Sequence, residues 1–197
     1  MNCLLVTAHP LRESLCSTLS DRAAKVLREM GHEVIREDLY QIDFRAELTA
    51  EERRTYYGSP YDFSEVKDHV ARLLEAEGIV LVFPTWWFGF PAILKGWFDR
   101  VWGPGIAYDH ADDFGPIKPR LDKLRYLAAV TTLGSPWWVD RLVLRQPVKR
   151  VVKSALLGAC APACRFKILS LYKSEQLSEV VVDRFSAQVI RMLRTWK

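Results

Sequence analysis

Apolar and polar positions alternate along the chain in blocks that switch repeatedly between strand and helix period. Asn2 to Thr7 reads as a short apolar strand, and Ser14 to Met30 carries Leu15, Leu19, Ala23, Val26 and Met30 at helical intervals before Gly31 supplies a stop. His32 to Asp38 predicts a second strand. Between Arg45 and Tyr61 charge density rises and periodicity fades, and Gly58, Ser59 and Pro60 add turn chemistry, so this part reads as an excursion over the surface or across a partner subunit. Asp62 to Glu77 is an amphipathic helix with Phe63, Val66, Val70, Leu73 and Leu74 on one side. Gly78 to Phe83 has the length and β-branched content of an interior parallel strand, ended by Pro84. Pro91 fits the first turn of a helix to Trp102, with Ile93, Leu94, Trp97, Phe98 and Val101 facing the core and Lys95, Asp99 and Arg100 on the other face. Leu124 to Thr132 is another buried strand, Asp140 to Leu157 is helical in part with an interruption around Pro147, and Cys164 to Leu171 has strand character. Glu175 to Trp196 closes the chain as a helix using Leu177, Val181, Phe185, Val189 and Leu193. Strands alternating with helices predict an α/β, doubly wound parallel sheet, without the G-x-G-x-x-G of a dinucleotide-binding domain.

In open sheets of this kind ligands bind at the C-terminal ends of the strands, which directs attention to the loops there. Thr85 to Phe90 carries Trp86, Trp87 and Phe88 with Gly89 for close backbone approach, a composition that suits a flat aromatic ligand. Three consecutive aromatics cannot all face one interior, so at least one is offered to a ligand or a partner chain, whereas Trp97, Phe98 and Trp102 on the helix stripe read as core. After the first strand, His9 to Cys16 leads into a helix start, whose unpaired N–H groups and dipole can hold a phosphate; Ser14 is equally an ordinary N-cap. Arg12 there either adds charge or is simply solvated. Thr131, Thr132, Leu133, Gly134 and Ser135 form a third such loop, either binding the polar edge of a ring or making a plain turn.

At 197 residues the chain predicts one domain, residues 1–197, and its 49% hydrophobic and 26% charged content is that of an ordinary globular protein. No apolar run approaches the length of a bilayer span, and the start lacks the basic flank of a signal peptide, so the expected address is cytoplasmic. Cys3, Cys16, Cys160 and Cys164 show no metal-like spacing; Cys3, Cys160 and Cys164 read as small buried hydrophobes. The net charge of +4 favours anionic small ligands, but scattered basic residues make no nucleic-acid footprint. Asp109, His110, Asp112 and Asp113 form an acidic cluster whose spacing matches no metal motif, and no metal is expected.

The run P-x-x-W-F-G-x-P-A-I-L-K-G-W-F-x-R-V at Pro84 to Val101, followed by G-x-A-Y at Gly105 to Tyr108, resembles the NAD(P)H:quinone oxidoreductase family of flavodoxin-like flavoproteins. The opening segment, similar to H-x-x-x-x-S-F-N, and the loop at Thr131, similar to T-T-G-G, extend the resemblance over most of the chain. It implies a flavodoxin-like five-stranded sheet of order 2-1-3-4-5 in three α/β/α layers, with its switch point between the first and third strands. It implies a bound flavin, FAD with FMN as the alternative, reduced by NADPH or NADH and reoxidised by a quinone or other small aromatic acceptor in a ping-pong cycle. By the same resemblance the diphosphate falls on His9 and Ser14 and on the backbone of Leu15 and Cys16, and the ring lies between Pro84, Thr85, Trp86, Trp87, Phe88, Gly89 and Thr131, Thr132, Leu133, Gly134. Tyr108 and His110 fall beside the substrate cavity, where a phenol or imidazole can hydrogen-bond a quinone oxygen. The family forms homodimers whose cavities are lined by both chains. Departures are Leu15, Cys16 and Leu133, Trp137 and Trp138 where the family has a tyrosine, and the lack of any histidine after His110. That loss puts the family's Tyr/His proton relay in doubt, leaves Arg141 and Arg145 to stabilise charge, and opens an alternative reading as an ancillary subunit of a membrane ion-efflux system with a structural flavin.

Overall fold

A computed structural model of the chain describes residues 1–57, 60–110, 115–175 and 177–197. Five parallel strands form the central sheet: β1 (Asn2–Thr7), β2 (Glu33–Asp38), β3 (Gly78–Pro84), β6 (Tyr126–Leu133) and β7 (Arg165–Tyr172), in the order β2-β1-β3-β6-β7. The two-residue strands β4 (Tyr108–Asp109) and β5 (Lys118–Pro119) pair with each other outside it, so the order is the expected 2-1-3-4-5. Side chains along each strand point alternately to two cores. Leu4, Val6, Ile79, Leu81 and Phe83 pack with α3 (Lys67–Glu75) and α4 (Ala92–Val101) on one side. Cys3, Leu5, Val80 and Val82 pack with α1 (Leu15–Glu29) and α7 (Glu179–Leu193) on the other. The interior strands β3 and β6 are buried throughout because both faces are covered, while the edge strands β2 and β7 are buried only in part.

Several elements differ from the reading of the sequence. β3 runs one residue past Phe83 and stops at Pro84, which still pairs in register with Thr132, and the donor it lacks is supplied one residue later by Thr85. Pro91 caps α4 from outside, at φ −55° and ψ 145°, and its carbonyl takes the first helical bonds. Phe63 and Leu74 are exposed, since only Val66, Val70 and Leu73 of that stripe reach the core. The segment after Pro136 winds as a π-turn (Val139–Val143), breaks at Arg145 and Gln146 in the left-handed region, and restarts at Pro147, as expected from that proline.

The largest correction concerns Arg100, which is 2% exposed and not on a solvent face. The stretch that lost periodicity contains a short helix, α2 (Ala50–Thr55), begun by a capping box between Thr49 and Glu52. The stretch from Ala46 to Tyr61 that includes it meets α4 and the residues just after it at Gly96, Arg100 and Gly103. A Cβ at Gly96 would stand 2.0 Å from the Ala46 carbonyl oxygen, and one at Gly103 would stand 2.6 Å from the Tyr61 ring, so both positions require glycine. Between them the Arg100 guanidinium donates to Glu52, to Glu65 and to the Arg45 carbonyl. Burial alone would lower the pKa of this guanidinium, but its bonds to Glu52 and Glu65 raise it on balance, so it stays charged.

Candidate cofactor and acceptor site

Thr132, the penultimate residue of β6, draws the loops at the sheet's C-terminal edge together. Its carbonyl accepts the Thr85 N–H at 2.9 Å and the Thr85 hydroxyl at 3.3 Å, and its own hydroxyl lies 4.0 Å from the Cys16 sulfur. The first turn of α1, the exit of β3 and the end of β6 therefore converge on one side chain and one peptide group. Thr131 is turned away and donates to the Ser170 hydroxyl at 3.0 Å, and Leu133 is buried. Past Leu133 the Ser135 hydroxyl oxygen is withdrawn from water with no hydrogen-bond partner among the described residues, an arrangement that favours a polar ligand there.

From Trp86 to Gly89 the chain makes a tight turn closed by the Gly89 N–H on the Trp86 carbonyl at 3.0 Å. Its two central residues, Trp87 and Phe88, have φ of 52° and 58°. The left-handed region costs an ordinary side chain roughly 1–2 kcal/mol, and here two large aromatics occupy it in succession. Gly89 itself does not, and a Cβ there would meet only the Trp86 oxygen at an ordinary 3.7 Å. The fold does not call for glycine at this position, which leaves the approach of another molecule as its physical use. Trp87 projects fully into solvent and Trp86 is half-exposed, in accord with the expectation that this aromatic run cannot all turn inward.

At the start of α1, Ser14 is the N-cap: its hydroxyl accepts the Ser17 N–H at 3.1 Å, and its carbonyl accepts the Thr18 N–H. The N–H groups of Leu15 and Cys16 precede the first intrahelical bond and form the donor pair a helix start offers to an anion. The Leu11 N–H lies 3.1 Å and the Leu11 carbonyl oxygen 3.3 Å from His9 Nδ1, so the ring is held against its own loop in whichever tautomer it takes. Both readings of Ser14, cap and anion-site residue, thus coexist at one helix end.

Tyr108 and His110 belong to a different group. The Tyr108 hydroxyl lies 3.0 Å from that of Tyr56, and His110 stands edge-on to Tyr108 at 5.2 Å and tilted against Tyr57 at 5.1 Å. Burial pushes the Tyr108 phenol well above its ordinary range, and either hydroxyl of the pair can donate to the other. Among the described residues no hydrogen bond or ring contact joins this group to the loop at Thr131 to Gly134. Tyr56 and Tyr108 instead line a cavity of about 180 Å³ with Phe98, Trp102 and Phe90, the residue next after the aromatic turn. The acidic cluster beyond His110 is described only to that residue, and Asp112 and Asp113 lie outside the described residues. Tyr56 was not legible as a site residue, although the Thr49-x-x-Glu52 signature marked the helix that carries it.

A family model described as a flavodoxin-like fold matches residues 1–183. The chain belongs to the flavodoxin-like family. An uncharacterized NAD(P)H oxidoreductase of Escherichia coli (strain K12) is 36% identical over 127 residues, which cover 64% of this chain and 62% of that protein. NAD(P)H dehydrogenase (quinone) 1 of Rattus norvegicus is 33% identical over 153 residues, 67% of this chain and 53% of that one. The chain thus spans between about half and three fifths of the length of these curated relatives. The solved structure of NAD(P)H:quinone oxidoreductase from Methanothermobacter marburgensis superposes with a TM-score of 0.82 at 26% identity, covering 99% of this chain and 95% of that one.

In a flavodoxin-like sheet the strand order reverses direction between β1 and β3, and the crevice outside that point receives the ligand. In this chain the loops leaving those strands are the ones that hold His9 to Cys16 and Trp86 to Gly89, with Thr132 beside them.

Proposed function

We propose that the chain is a flavin-dependent NAD(P)H:acceptor oxidoreductase of the quinone reductase type, built as a single flavin-binding domain over residues 1–197. The observation that carries this reading is the convergence on Thr132 of a helix start with two N–H groups to spare and a turn that presents Trp86 to Gly89 in a costly conformation. The site suits a planar ring joined to a phosphate, and the orphaned Ser135 hydroxyl adds a polar group at the ring's edge. In this reading His9, the Leu15 and Cys16 N–H groups and the α1 dipole hold the phosphate, with Ser14 fixing the helix end. Pro84 to Gly89 on one side and Thr131 to Gly134 on the other hold the ring. A flavin held there, FAD or FMN, would supply the redox chemistry between NADPH or NADH and the acceptor. The residues supply orientation, exclusion of water by the aromatic turn, and donors for charge that develops on bound groups. Donor and acceptor occupy one face in turn, which gives ping-pong kinetics.

A homodimer completes the site. Trp137 and Trp138 are half-exposed, Leu142 and Val143 more so, and with Trp86 and Trp87 they form more apolar surface than a monomer ordinarily leaves open. A second copy covers them and brings Tyr108 and His110 to the acceptor. A cytoplasmic location goes with this reading; no helix of the described residues is long and apolar enough to cross a membrane.

The test is to offer purified protein FAD and FMN in turn, remove excess, and identify the retained cofactor by thin-layer separation. Retention of one flavin, bleached by NADPH or NADH and restored by a quinone, is the expected result. Protein that retains neither is not an enzyme of this kind.

A further inference from the structure

The hydroxyls of Tyr56 and Tyr108 meet at 3.0 Å although the residues stand 52 positions apart, and both line the cavity beside Phe90. Two phenols in contact hold two protons and spend only one on each other. With Tyr56 as donor, the Tyr108 O–H is free to point at a third group; with the roles reversed, a Tyr108 lone pair is free instead. We propose that Tyr56 is a positioning residue of the acceptor site, orienting the Tyr108 phenol so that its O–H meets the acceptor oxygen on which negative charge develops. This rests on the oxidoreductase reading given above.

The placement of Tyr56 is over-determined from behind. It is the C-cap of α2, the helix that the buried Arg100 holds through Glu52. Its ring stands edge-on to Tyr61 at 5.6 Å, and the Tyr61 hydroxyl donates to the Arg100 carbonyl at 3.1 Å. Gly96 and Gly103 allow that whole layer to sit against α4. A surface tyrosine with no task needs no such support, and a phenol that must aim another phenol does, because misplacement by an ångström forfeits the geometry. His110 faces the same pair at 5.2 Å from Tyr108 and 6.5 Å from Tyr56, and packs against the rings without a hydrogen bond to either hydroxyl among the described contacts.

Tyr56→Phe tests this, since it keeps the ring contacts and removes one oxygen. Flavin-loaded wild type, Tyr56→Phe, Tyr108→Phe and the double variant are followed through the two half-reactions separately: reduction by NADPH, then reoxidation by a simple naphthoquinone. Reduction and flavin retention in Tyr56→Phe should match wild type, while the quinone step falls about tenfold in kcat with KM changed less than about twofold. The double variant should be no slower than Tyr108→Phe alone, because Tyr56 acts through Tyr108. Losses that multiply in the double variant, or a Tyr56→Phe quinone step within about twofold of wild type, overturn the inference and leave the oxidoreductase reading standing. Wild-type protein that takes up no flavin overturns both.

Discussion

Arg100 grips Glu52 with Nε at 2.8 Å from one carboxylate oxygen and 3.0 Å from the other, and both side chains are withdrawn from water. Such a pair is weak evidence for stability as a whole, yet breaking it is costly because the surviving charge stays buried. Arg100→Ala would strand Glu52 and the Arg45 carbonyl and should destabilise the fold by roughly 3–5 kcal/mol. Replacing both partners with apolar residues of similar size should recover much of that. Urea denaturation of the single and double variants checks both statements, and a single-variant loss under about 1 kcal/mol would show the pair to be solvated.

Trp87 allows stability and ligand binding to be separated. It is fully exposed at φ 52°, so Trp87→Gly relieves left-handed strain without opening the core. Relief of about 1–2 kcal/mol is offset by about 0.5–1 kcal/mol of extra chain entropy in the unfolded state. The expected outcome is a melting temperature equal to or slightly above wild type, together with flavin retained noticeably less well, because a large apolar contact with the ring is lost. A dialysis series and a thermal melt on the same preparation suffice. Unaltered flavin retention would place Trp87 away from the ring.

Trp138 carries the assembly prediction. Half-exposed in the loop after β6, it adds little to the core, so Trp138→Glu should change monomer stability by no more than about 0.5 kcal/mol. Association should weaken and acceptor reduction should fall with it, since the site draws on both copies. Light scattering at micromolar protein reads the first effect and steady-state turnover the second. A wild-type monomer with full activity would refute the dimer.

The thiols give a pH prediction. Burial is the main cause that pushes Cys3 and Cys16 from 9.0 up to about 11, and Cys160 and Cys164 up to about 12. A thiol whose pKa is raised on folding binds its proton more tightly in the folded state, so its contribution is fully present below the unfolded value, roughly 8.5. It is lost as pH rises toward 11 and 12, where the unfolded chain releases protons first. Stability should therefore decline from about pH 9 upward, and at neutral pH the buried Cys3, Cys16 and Cys160 should react with a disulfide reagent only after denaturant is added, while Cys164, expected as buried, is only partly so. Rapid labelling of Cys3, Cys16 or Cys160 in native protein would contradict its burial.

Much of this was visible in the residue pattern, for a reason that also explains what was not. Strands β1, β3 and β6 show as apolar runs, and the stripes of α1 and α7 as helical repeats, because local periodicity encodes which face is buried. Ser14 and Pro147 mark their helix starts by side-chain chemistry alone. Arg100 defeated the same logic: a charge on a helix is assigned to solvent, and the acid that neutralises it lies 48 residues earlier, in a stretch without periodicity. Its glycine neighbours at the same face, Gly96 and Gly103, were the available hint that another backbone comes close. The aromatic turn was found by composition, but its left-handed backbone at Trp87 and Phe88 was not, because large aromatics carry no signal for that conformation. The pairing of Tyr56 with Tyr108 depends on tertiary placement of α2 and has no one-dimensional signature.

Thr132 and Trp87, both assigned to the proposed ring site, stand under opposite constraints. A change at Thr132 disturbs the joint between α1, β3 and β6, so any variant there alters folding and ligand preference together. A change at Trp87 meets only solvent. Sequence drift is thus braked at one position and free at the other. A lineage of this protein adapting to a new aromatic ligand would change first at positions 86 to 88, and a laboratory library confined to those positions would sample specificity with few misfolded members.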